Sequence, residues 1–231
     1  MIIMLSSAPS GLRSRGFFCF MKKVIFLVDG FNLYHSIVDL ENIEGIKVKW
    51  LDINSLCNSY LYLLGKDTVI EDIYFFTAFP NHRKLKDPDI INRHKKYLRC
   101  LEDTGLQIIY GRFKPKRSFC PLCKKVSIKH EEKKTDVAIS VKLFELLHNN
   151  KGDIFLLITG DTDVSPAIKT CKSLFPLKKI LFAFPYRRKN NELADLSSES
   201  FLIKRKQYLN HIFNDPYTLS NGKKISKPSS W

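Results

Sequence analysis

Four aspartates stand where carboxylates commonly do chemistry: Asp29 in Val28-Asp29-Gly30-Phe31-Asn32, Asp136 in Lys133-Lys134-Thr135-Asp136, and Asp161 and Asp163 in Thr159-Gly160-Asp161-Thr162-Asp163. Two of these settings close apolar runs, residues 24–28 and 154–159, of the kind that form strands buried on both faces. In an open parallel sheet, ligands lie beyond the carboxyl ends of the strands, where strand order reverses. If those two strands are neighbours, Asp29, Asp161 and Asp163 converge in one crevice. Asp136 joins them from the start of the helix that leads into the later strand. So many oxygen ligands suit a hard cation, Mg²⁺ or Mn²⁺. Such a cation lowers the pKa of its bound water and stabilises charge on a transferring phosphoryl group. Taken singly, each acid reads more readily as a turn residue or a helix cap than as a catalytic group. Their convergence on one edge is what points to catalysis.

The elements that must position these acids can be traced along the chain. Further strand-like runs fall at residues 73–79, 107–110 and 179–184, and segments with helical spacing lie between them. Residues 52–64 place Ile53, Leu56, Tyr60 and Leu63 on one stripe. Residues 94–104 repeat the pattern through Tyr97, Leu98 and Leu101, with Gly105 as a C-terminal cap. Residues 137–147 put Val137, Val141, Phe144 and Leu147 on one face, and Ser165-Pro166 reads as an N-cap followed by the first helical residue. Alternating strands and helices predict an α/β fold: a Rossmann-like three-layer sandwich with a mainly parallel, five-stranded sheet over residues 22–203. Residues 1–21 read as a disordered extension with Met21 as the functional start. Residues 204–231 read as a C-terminal tail, weakly ordered from Asn214 because of Pro216, Gly222, Pro228 and several Lys and Ser residues.

The charge balance names a class of partner. Lys and Arg number 38 against 23 acidic residues, a net charge of +15, which favours a polyanion and nucleic acid first. Arg112, Lys114, Lys116 and Arg117 form one basic cluster, interleaved with Phe113 and Phe119; Arg187, Arg188 and Lys189 form another after Tyr186. Both are expected in loops at the edge that holds the acids, with cations on phosphates and aromatics stacked on unpaired bases. Cys120-Pro121-Leu122-Cys123 sits in the loop near 114–130. It is either half of a structural zinc site, closed by a distant Cys or His, or a redox-sensitive pair. His35, His82 and His94 show no metal-ligand spacing and read as capping, packing or phosphate-contacting residues. Scattered cysteines without a secretory pattern point to a reducing, cytoplasmic setting. No apolar run reaches the ~18–20 residues that a membrane helix requires, so no membrane partner is expected.

Competing phosphotransfer and cofactor patterns fit less well. The first strand lacks a following Gly-x-Gly-x-x-Gly for a dinucleotide. Haloacid-dehalogenase phosphatases need Asp-x-Asp after that strand, where this chain has Asp29-Gly30-Phe31. A topoisomerase-primase-type domain needs a Glu where Asp29 stands.

The three acidic motifs, with Arg93-His94, Tyr97-Leu98 and Gly111-Arg112-Phe113, closely resemble the signatures of the NYN domain family, PIN-like proteins that include the LabA-like group. The resemblance spans residues 22–203. It implies a Rossmann-like sheet and metal-dependent RNA cleavage, with Asp29, Asp136 and Asp161 as metal ligands, directly or through water. Asp163 would complete the cluster or orient the attacking water, and Asn32 would hydrogen-bond a phosphate or a metal-bound water. PIN-like relatives often dimerise, so a homodimer is an expectation too. The alternative on the same fold is a non-catalytic RNA-binding or regulatory adaptor, which would gain nothing from four anions beside phosphate.

Overall fold

The structure, a computed structural model, describes residues 21–119, 124 and 126–231. The uninterrupted apolar run of β1 (Lys22–Asp29) forms a central strand, with Val24 to Val28 at most 1% exposed. α1 (Gly30–Glu44), α2 (Ile53–Asn58) and α3 (Leu61–Leu64) lead to β2 (Thr68–Thr77), which pairs in parallel with β1. A 3-10 turn (Asn81–Arg83) and α4 (Ile90–Asp103) precede β3 (Gln107–Tyr110). An antiparallel pair, β4 (Arg112–Phe119) and β5 (Val126–Lys133), stands outside the main sheet. The second half runs through α5 (Thr135–His148), β6 (Ile154–Ile158), a 3-10 turn (Thr162–Val164), α6 (Ser165–Leu174) and β7 (Lys179–Phe184). α7 (Asn191–Leu196), β8 (Ser200–Leu202), α8 (Arg205–Asn210), β9 (Tyr217–Thr218) and β10 (Lys224–Ile225) complete it.

The main sheet is six-stranded in the order β3-β2-β1-β6-β7-β8, and every pairing in it is parallel. The chain builds outward from β1 on one side, then returns to build outward on the other. Strand order therefore reverses between β1 and β6, which puts the ligand-binding crevice at their carboxyl ends. Alternate side chains of β1 enter two cores. Val24, Phe26 and Val28 pack with α1, α2 and α4 on one face. Ile25 and Leu27 pack with α5, α6 and α7 on the other. This is the three-layer α/β sandwich expected from the sequence.

Five details depart from expectation. The sheet has six strands rather than five, because β8 is three residues long and has no buried residue to mark it. The stripe over 52–64 breaks into α2 and α3 around Ser59 and Tyr60. α5 buries Ile139, Leu143, Leu146 and Leu147; of the expected face only Leu147 is in the core, and Val137, Val141 and Phe144 are 64%, 61% and 42% exposed. Both stripes satisfy helical spacing, and the packing against β1 selects the one the sequence reading passed over. The basic segment read as a loop forms the β4–β5 hairpin, anchored where Gly111 N donates to Thr77 O at 2.7 Å. Finally, the segment beyond Asn214 folds back onto the body: Leu219 and Ile225 join the first core, and Asp103 accepts from Ser220 N at 2.9 Å and Tyr217 Oη at 3.0 Å.

Candidate active site

Asp29 is the last residue of β1 and the N-cap of α1. Its Oδ1 accepts from the amides of Phe31 and Asn32 at 3.1 and 3.0 Å. Its Oδ2 accepts from Thr159 Oγ1 at 2.9 Å, just beyond β6. The same hydroxyl oxygen accepts from Asp161 N at 3.1 Å, and Asn32 Oδ1 accepts from Gly160 N, also at 3.1 Å. One small network thus ties the ends of the two central strands to each other and to the first turn of α1. Two glycines permit that closeness. A Cβ at Gly30 would lie 2.5 Å from Phe76 O, and one at Gly160 would lie 2.0 Å from Arg188 O. Neither neighbour is a flexible side-chain end that could move aside.

Asp161 caps the 3-10 turn at Thr162–Val164, its Oδ1 accepting from Asp163 N at 3.1 Å. The turn runs directly into α6, so Val164 rather than Ser165 occupies the cap position, and Pro166 is still accommodated in the first turn. Asp136 lies in the first turn of α5, behind Lys134 with its left-handed φ of 80°. Carboxylate oxygens of Asp136, Asp161 and Asp163 come within 4.8 Å of one another, the first two half-buried and the third exposed. Asp29 is only 4% exposed beside them. Burial pushes its carboxyl up from 3.8 to about 6, against the lowering pull of the Asn32 amide and the Thr159 hydroxyl, and the charges of Asp136 and Asp161 push it further. The four expected acids therefore divide into a three-carboxylate cluster and a buried fourth whose two oxygens already accept hydrogen bonds. An all-oxygen, anionic donor set of this kind fits Mg²⁺ or Mn²⁺ and suits softer metals poorly.

The expected basic residues are less uniform. Arg112 and Arg117 are exposed on β4, and Lys114 and Lys116 lie on the same strand. Arg187 and Lys189 are exposed after β7. Arg188 is instead paired with Asp39 of α1 at 2.6 Å, so much of its charge is spent within the fold. Phe113, at the base of the hairpin, packs edge-on against Phe31, with ring centroids 5.7 Å apart. That contact brings the hairpin to the start of α1, next to Asp29. Cys120 and Cys123 lie outside the described residues. Sequence reasoning passed over Thr159, whose hydroxyl joins Asp29 to the Asp161 turn; its place one residue before Gly160-Asp161 was the available signal.

The NYN domain family model matches residues 23–202, and that range holds all four aspartates and both basic clusters. The chain belongs to the NYN domain family. NYN domains are PIN-like nucleases, and the parallel sheet with its aspartate cluster is consistent with that fold. A crystal structure of a protein of unknown function from Vibrio parahaemolyticus RIMD 2210633 is similar to this NYN chain with a TM-score of 0.54 at 18% identity. The match covers 80% of this chain and 95% of that one, and at such identity the likeness concerns the fold. No curated protein matches the chain. No helix among the described residues is long and apolar enough to cross a membrane.

Proposed function

We propose that this NYN protein is a metal-dependent ribonuclease that hydrolyses RNA phosphodiester bonds at the carboxyl ends of β1 and β6. The observation that supports this most directly is the approach of Asp136, Asp161 and Asp163 within 4.8 Å, beside buried Asp29, at the reversal of strand order. Three anions held this close by two backbone segments, the first turn of α5 and the turn after β6, repel one another, and the arrangement suits a cation. In the proposed reaction, water adds to phosphorus, the P–O ester bond breaks, and the leaving oxygen takes up a proton. When bound, Mg²⁺ or Mn²⁺ supplies charge neutralisation at phosphate and a more acidic water.

Asp136, Asp161 and Asp163 would hold the ion through carboxylate oxygens. Asp29 would act through water or as a further ligand, and through its charge. Asn32, whose Oδ1 already accepts from Gly160 N, would keep the two strand ends in register and offer its amide NH₂ to phosphate. Arg112, Lys114, Lys116, Arg117, Arg187 and Lys189 would track the RNA backbone; Arg188 would steady α1 through Asp39. The same reading takes RNA as the partner, the cytoplasm as the compartment, and Cys120 and Cys123 as half of a separate structural zinc site.

The test is cleavage of a labelled single-stranded RNA by purified protein with Mn²⁺, Mg²⁺ or EDTA, beside Asp161→Asn. Cleavage should require the metal and fall at least a hundredfold in the variant. Binding without cleavage by wild type under every condition would favour an adaptor instead.

A further inference from the structure

A second concavity opens beside the acidic site, on the α1 side of the sheet. It is a cleft of about 420 Å³ that begins at Gly30 and Phe31 and runs between α1, the 3-10 turn at Asn81–Arg83, α4 and Trp231. Phe31 connects the two places: its ring borders the cleft, and its amide donates to Asp29. The walls are aromatic, with Phe31 and Tyr34 37% and 40% exposed on α1 and Phe113 facing Phe31.

Charge inside the cleft is largely neutralised. Lys49 pairs with Glu41 and Arg93 with Asp87. His94 is held neutral, because burial lowers its imidazole from 6.5 to about 4, and its Nε2 lies 3.3 Å from Thr77 Oγ1. Arg83 is the exception: it borders the cleft, is exposed, and makes no ion pair among the described residues.

Aromatic walls, cations inside that are mostly ion-paired and, at the rim, an exposed arginine with no ion pair among the described residues describe a seat for a planar ring carrying an anion. The volume sits low in the ~300–1,000 Å³ range of small-molecule pockets, fitting one nucleotide. A base can enter only when splayed out of a helix, and its faces then stack on aromatic rings. We propose that this cleft seats one unpaired nucleotide of the RNA, its base against the aromatic wall that Phe31, Tyr34 and Phe113 form together and its phosphate on Arg83. Its role in placing the neighbouring phosphate at the aspartates rests on the ribonuclease reading; the binding itself does not. The cleft would make the protein select single-stranded segments.

The experiment is anisotropy titration of the full chain, in EDTA, with labelled five-nucleotide RNAs of A, C, G or U and with a labelled RNA duplex. Wild type should bind at least one single strand more tightly than the duplex, and binding should quench the fluorescence of Trp231. Arg83→Ala and Phe113→Ala should each weaken the single strand about tenfold or more. Arg83 is exposed, so its variant tests the proposal even if Phe113→Ala folds poorly. Unchanged affinity in folded Arg83→Ala, or a duplex bound as tightly as every single strand, would overturn the proposal. EDTA prevents metal-dependent cleavage, so a failed cleavage assay with Mn²⁺ sinks only the nuclease reading. Loss of the cleft preference with cleavage intact sinks only the cleft.

Discussion

At the scale of single residues, Asp29 and Asp163 are opposites. Asp163 is exposed to water; Asp29 is 4% exposed and carries its charge beside Asp136 and Asp161. An unfolded chain releases the Asp29 proton near 3.8, the folded chain near 6, so the folded state binds that proton more tightly between those values. This contribution to stability is present at low pH, declines as pH rises through 3.8 to about 6, and leaves a buried charge above that window. The metal-free Asp29→Asn protein should therefore be more stable than wild type at pH 7, by on the order of 3 kcal/mol. Asparagine can still cap α1. The gap should close as pH falls towards 4, and urea unfolding of both proteins in EDTA across pH 4–7 would measure it. Equal stability at pH 7 would mean that the site solvates Asp29 better than its burial implies. The four acids were legible in the sequence because each follows an apolar run or opens a helix. The engagement of Asp29 by Phe31, Asn32 and Thr159 was not, since those bonds depend on how two strands 130 residues apart align.

At the scale of elements, α5 shows how helical spacing can be right and its face wrong. Val137, Val141 and Phe144 and the alternative Ile139, Leu143 and Leu146 are both apolar, so periodicity alone offers two answers. The sheet chooses between them by offering Ile25 and Leu27 to the second stripe. Leu143→Ala should cost about 2–5 kcal/mol, and Val141→Lys should change stability by less than ~0.5 kcal/mol. Thermal and urea denaturation of the two variants decide it, and a large loss in Val141→Lys would mean that the outer stripe is covered in solution. The β4–β5 hairpin escaped notice for a different reason. β4 mixes cations with Pro115 and Ser118, the alternation of β5 stops after Ile128 at a charged run, and no apolar run marks either strand. β8 is simply too short to leave a pattern.

At the scale of the whole molecule, the sheet and its carboxyl edge could be anticipated, because buried parallel strands announce themselves as apolar runs. The closing segment could not, because Pro, Gly, Lys and Ser dominate it and its few apolar residues are widely spaced. Those few nevertheless do much of the sealing. Trp231 meets Trp50 and Tyr97 with centroids 6.0 and 5.7 Å away, and Phe213 lies 5.8 Å from Trp50. Removing residues 212–231 uncovers Trp50, Tyr97 and one wall of the aromatic cleft together. The truncated protein should melt at least 10 °C lower, given several buried apolar side chains at about 1.5–3 kcal/mol each. Calorimetry would record it, and an unchanged melting temperature would show that the segment contributes no stability.

The burial of Asp29 also bears on how this family ages. On the proposed ribonuclease reading, a descendant that no longer cut RNA would have no cation to offset the charge at that position, and asparagine would keep the helix cap while relieving the repulsion. Drift at position 29 would then be rewarded, whereas Asp163 is exposed and carries no comparable burial penalty. The expectation for relatives is an aspartate at this buried strand end in those that cut RNA and an asparagine in those that only bind it.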